Sequence, residues 1–132
     1  MKKEVLRFSE GYQFHSPVAQ GVKANGFLFF GAIRGTDPET NKVPEDVDAQ
    51  CRNIFRNLEQ RLKACGAELS DVVRIAVYMK DLGDREYFNR YWKEAFGDEP
   101  PARFAVQVLD MGGPGDASRI LIETTALAPE GK

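Results

Sequence analysis

The chain has 132 residues, a formal net charge of -2 and 29% charged residues. That profile fits one globular domain spanning residues 1–132 and excludes a disordered or collagen-like chain. With 18 basic against 20 acidic side chains, one histidine (His15) and two cysteines (Cys51, Cys65), nothing argues for nucleic acid as a partner, and little is left for a serine triad or a zinc site. An enzyme of this composition is expected to work without a metal and without a histidine base.

Residues 1–10 begin basic, but no apolar run follows, so no signal peptide is expected. The longest apolar run, Phe27–Ile33, is interrupted by Gly31 and falls far short of the ~20 residues that span a bilayer, so no membrane association is expected. Glu4–Phe8 reads as a short strand and residues 16–24 are weakly patterned. Asn25-Gly26 is a strong turn signal before the β-rich run Phe27–Ile33. Residues 36–41 carry turn chemistry throughout.

The period then changes. Val47, Cys51, Ile54, Leu58, Leu62 and Cys65 recur at helical spacing and predict one long amphipathic helix, with Pro44 in its first turn and Gly66 at its stop. Arg52, Arg56, Glu59 and Lys63 fall on its polar face. The two cysteines lie about 21 Å apart along such a helix, too far to pair, so reduced thiols and a cytoplasmic location are expected. Val73, Ile75, Val77 and Met79 alternate with polar or small neighbours as in a half-buried strand. Asp84 is placed to cap a second helix running to Phe96, with Phe88 and Trp92 on one side. Phe104, Val106 and Val108 share one face of a further strand, the loop Gly112–Gly115 follows, and Ser118–Leu127 is the last strand. Strands of one sheet with helices packed on one face make an α+β sandwich, and a partly apolar opposite face invites self-association.

Several blocks resemble the Rid (reactive intermediate deaminase, YjgF-type) family: Phe29; Asp37-Pro38-Glu39-Thr40; Asp46-Val47-Asp48-Ala49-Gln50; Leu69 to Arg74; Val77 to Leu82; Asn89; and Pro101 to Val108. The resemblance runs from about Pro17 to Ala128. It implies a chorismate-mutase-like α+β protomer, with one mixed sheet, two helices packed on one face, and assembly as a homotrimer with small-ligand clefts at the subunit interfaces. It also implies cofactor-free hydrolysis of a carboxylate-bearing enamine or imine to a keto acid and ammonia, on a 2-aminoacrylate-like or 2-aminomuconate-like substrate.

The site residues that the resemblance implies are carried over one by one. Arg103 matches an essential arginine, and a guanidinium fork suits a substrate carboxylate. Asn89 matches an asparagine near the cleft. Gly31, Ala32 and Ala105 offer backbone contacts where relatives carry Ser-Gly and Cys, and Val18 stands where an aromatic often flanks the cleft. Leu121 occupies the place of the glutamate that positions water. Glu123, two residues on and therefore on the same strand face, is the substitute candidate, about 7 Å away. Arg34 is a second cation that favours a dicarboxylate. No metal site is expected. The alternative that Leu121 raises is a non-catalytic, small-carboxylate-binding regulatory trimer. Relatives labelled endoribonucleases suggest RNA cleavage, which the acidic balance and the lone histidine disfavour.

Overall fold

A computed structural model describes residues 2–8, 17–111 and 116–129; His15 and the Gly112–Gly115 loop lie outside them. The strands are β1 (Glu4–Leu6), β2 (Gly21–Ala24), β3 (Phe27–Arg34), β4 (Val72–Met79), β5 (Ala102–Gln107) and β6 (Ile120–Leu127), and the helices are α1 (Val47–Ala64) and α2 (Arg85–Phe96). Asn25 and Gly26 both take positive φ, 51° and 82°, the geometry a two-residue hairpin needs, and fold β3 back on β2. Among the described residues the strands form one sheet in the order β1-β2-β3-β6-β4-β5. Only β4 and β5 run parallel, joined by the crossover through α2, so the sheet is mixed.

Period-two alternation sorts the sheet into two faces. Leu28, Phe30, Ile33, Ile75, Val77, Met79, Ile120 and Ile122 point to the helices and are at most 2% exposed. Against them α1 lays Cys51, Ile54, Leu58 and Leu62, all fully buried, as its periodicity predicts. The start of α1 differs from the expectation. Pro44 precedes the helix, and Asp46 is the cap, its carboxylate accepting from the Ala49 N–H at 3.2 Å. Asp84 holds the capping position of α2 without capping it; its carboxylate pairs instead with Arg119 at 2.9 Å.

A second stripe on α1 escaped the pattern. Gln50, Asn53, Asn57 and Arg61 are all buried, although amides at helical spacing read as a solvated face. Two of them bond the backbone where the chain leaves β3. Asn53 donates to the Gly35 carbonyl at 3.1 Å, and Asn57 donates to those of Arg34 and Thr36 at 3.0 and 2.9 Å. Gln50 donates to the carbonyls of Pro44 and Ala117 and accepts from the Arg119 N–H. Asn53 and Asn57 satisfy the buried 34–36 segment, and Gln50 satisfies the chain before α1 and before β6. Asn57→Leu is expected to cost about 2–4 kcal/mol by stranding two carbonyls, measured as a lowered urea midpoint; an unchanged midpoint would contradict the role.

Candidate active site

Arg103 stands on β5, the edge strand of the sheet. Its register partner on β4 is Ile75, so its side chain leaves the helix-facing side, under α2. There the guanidinium lies over Trp92, 4.7 Å from the ring centroid, and over Phe88 at 5.6 Å. A guanidinium stacked on aromatic faces is held by its plane, and its N–H edges stay available. Among the described residues no carboxylate forms an ion pair with it. Burial, then the charge of Arg85, lowers its pKa from the usual arginine value; both effects disfavour the bare cation and would be relieved by an anion.

Ala105 follows on the same strand. The Val108 N–H donates to the Met79 carbonyl at 2.8 Å. Residues of a parallel strand alternate in the side to which their N–H and C=O point, so those of Val106 and Phe104 also face β4. The N–H of Ala105 then faces outward along the unpaired edge. Asn89 lies on α2 beside Phe88, half-buried. Arg103 and Ala105 thus lie on the free edge strand, and Asn89 lies on the helix that carries the rings beneath Arg103.

The remaining residues gather elsewhere. Leu121 pairs with Tyr78 and Glu123 with Ala76, both on the helix-free face. A register shift between Phe30 and Ile33 places the Gly31–Ala32 bulge opposite Glu123, and the Gly31 N–H donates to the Gln20 carbonyl at 2.9 Å, which draws the Val18–Gln20 segment alongside. Val18 is exposed, Glu123 is exposed, and Leu121 is buried. Arg34, paired in register with Leu121, has its charge matched: its Nε meets Asp116 at 3.1 Å and its Nη2 donates to the Met111 carbonyl at 2.8 Å.

The two groups do not meet within one protomer. In register, Arg103 and the Glu123 region are two strand spacings apart, roughly 10 Å, and their side chains leave opposite faces. Nor does either described surface groove hold Arg103: one lies along α1 beside Arg56, Lys63 and Glu68, the other beneath β1 beside Phe8 and Cys65. Among the described residues no group of three or more His, Cys, Asp or Glu side chains is arranged to hold a metal.

The Arg34–Asp116 pair has a pH signature. Burial pushes the Asp116 carboxyl up, but hydrogen bonds from Ser118 and the Arg34 charge outweigh it, and the net pKa lies below the usual carboxylate value. A depressed folded-state pKa contributes stability above the unfolded value, about 4, which is lost as pH falls below it. Asp116→Asn is therefore expected to lower the urea midpoint more at pH 7 than at pH 3; an equal effect at both would contradict this.

The family described as Endoribonuclease L-PSP matches residues 13–128. A RutC family protein of Pyrococcus abyssi is 36% identical over 129 residues, covering 97% of this chain and 98% of the relative. A 2-iminobutanoate/2-iminopropanoate deaminase of Salmonella typhimurium is 32% identical, covering 85% of this chain and 86% of the relative. The chain belongs to the Rid family. The Rid fold is matched by the crystal structure of RidA from an Antarctic Psychrobacter, with a TM-score of 0.85 and 27% identity over 94% of this chain and 98% of that one. The α+β layering of this Rid chain, a mixed sheet with two helices, is the one the resemblance implied. Among the described residues no helix is long and apolar enough to cross a membrane. The aromatic shelf of Phe88 and Trp92 beneath Arg103 was missed from sequence. Its signal was present, since the strand carrying Arg103 follows α2 directly; Phe88 also lies in the core and Trp92 packs against it.

Proposed function

We propose that this chain is a cofactor-free imine deaminase that hydrolyses a carboxylate-bearing enamine or imine to the keto acid and ammonia, as a homotrimer in the cytoplasm. The observation that carries the reading is Arg103: a guanidinium with no carboxylate partner among the described residues, held on two rings beside an outward backbone N–H. The fork binds the substrate carboxylate through two charge-assisted hydrogen bonds. The Ala105 N–H and Asn89 orient the adjoining C=N group. Water adds to the imine carbon to give a carbinolamine; the nitrogen takes a proton and leaves as ammonia, and the hydroxyl loses its proton to become the keto oxygen. Positioning supplies much of the rate, because such hydrolysis already proceeds in water.

The second group of residues enters from a neighbouring subunit. Glu123 beside the Gly31–Ala32 bulge, with Val18, Leu121 and Arg34 around it, is the face a partner would present to Arg103, and Glu123 is the carboxylate that would align the water. Phe29, Phe104, Val106 and Leu127 leave the helix-free face unusually apolar for solvent, each 37–45% exposed, which supports assembly through that face. The free cysteines, Cys51 buried and Cys65 half-buried, support a reducing compartment.

One observation favours a second reading, a regulatory trimer that binds small carboxylates without turnover: Leu121 is buried where the resemblance expects a glutamate. Ammonia release from 2-iminopropanoate, measured beside calorimetry with 2-oxo acids, separates the two. Release above the buffer rate supports the deaminase; binding with no added release supports the regulator.

A further inference from the structure

The geometry points to Arg85 as a specificity-determining residue that gives the Arg103 site a second anion contact, so that the preferred substrate carries a second carboxylate. The inference rests on the carboxylate-binding role proposed for Arg103. Arg85 opens α2. At 100° per residue, Arg85 and Trp92 are about 20° apart around the helix, and Asn89 falls about 40° from Arg85. Arg85, Asn89 and Trp92 therefore form one stripe, and Arg85 stands one turn before the Phe88–Asn89 level at which the Arg103 guanidinium is stacked.

Two further observations separate Arg85 from an ordinary surface cation. Its Nε donates to the Leu82 carbonyl at 3.1 Å, which fixes the root of the fork and leaves both terminal nitrogens uncommitted. No carboxylate among the described residues pairs with it, and the same holds for Arg103. Arg85 and Arg103 are thus neighbouring like charges without a counter-ion among the described residues, close enough that the Arg85 charge weakens the hold of Arg103 on its proton. Like charges so placed repel, and a bridging dianion turns that cost into binding. Arg34 already has its counter-ion; Arg85, on the stripe of α2 that carries Trp92, is placed to meet a second carboxylate beside Arg103.

Trp92 is the single tryptophan of the chain, so its fluorescence reports ligands at Arg103, with calorimetry as the second measurement. The probes are 2-oxoglutarate and 2-oxopentanoate, equal in chain length and differing in the distal carboxylate. The wild-type protein is expected to bind 2-oxoglutarate about tenfold or more tightly than 2-oxopentanoate, the size of one charge-assisted contact. Arg85→Gln is expected to erase that preference and Arg85→Lys to keep part of it. Equal wild-type affinities, or equal losses for both acids in Arg85→Gln, overturn the inference. If Arg103→Ala leaves both affinities intact, the reading of Arg103 fails, and the inference with it. Selective binding that depends on both arginines but comes without imine turnover upholds the inference and overturns only the deaminase.

Discussion

Arg103→Ala is expected to lower kcat/KM for 2-iminobutanoate by about 10²–10⁴-fold while the protein stays folded. The substitution removes both arms of a fork, each a hydrogen bond to a charged group worth about 1.5–3 kcal/mol, and about 1.4 kcal/mol is tenfold. The stability change is expected to be small, because Arg103 lies on an edge strand, exposed, and gives up ring contacts worth about 0.5–2 kcal/mol. Arg103→Lys is expected to recover only part of the rate: an ammonium neutralises the carboxylate but does not grip it at two points. A kcat/KM within threefold of wild type, with an unchanged thermal midpoint, would show that the fork holds nothing that reacts.

The second large effect is structural. A Cβ built on Gly35 falls 2.5 Å from both the Cα and the carbonyl oxygen of Gln50. Those are backbone atoms of α1, so no rotamer change relieves the clash. Gly35→Ala is expected to destabilise the protein by about 3 kcal/mol or more, at the upper end of overpacking costs. Pushing the 34–36 segment off α1 also strains the bonds from Asn53 and Asn57 that satisfy its carbonyls. A urea midpoint lowered by more than 1 M is the expected reading. Wild-type stability would mean that helix and loop part freely.

These two sites show where sequence reasoning succeeds and where it stops. The helical spacing from Val47 to Leu62 and the alternation from Val73 to Met79 were legible because burying one face imposes one period. Arg103 was legible only through resemblance; composition says nothing about which of many cations is left without a carboxylate. The polar stripe of Gln50, Asn53, Asn57 and Arg61 was not legible, because amides become core residues only when a particular loop presents unpaired carbonyls to them. Pro44 misled for a related reason: proline suits a first helical turn, but Asp46, two residues on, offers the carboxylate that the Ala49 N–H needs. The division of site residues between two sheet faces was also hidden. Parity puts Leu121 and Glu123 on one face, but only the register across β4 reveals that Arg103 leaves from the other. That separation supports the neighbouring subunit that the resemblance had already implied.

The most direct measurement is the decay of 2-iminobutanoate, generated in situ, in the presence of wild-type protein. The expected result is a decay rate, matched by ammonia appearance, that rises in proportion to protein concentration and disappears with Arg103→Ala. A rate equal to that of buffer at every protein concentration would contradict the deaminase account.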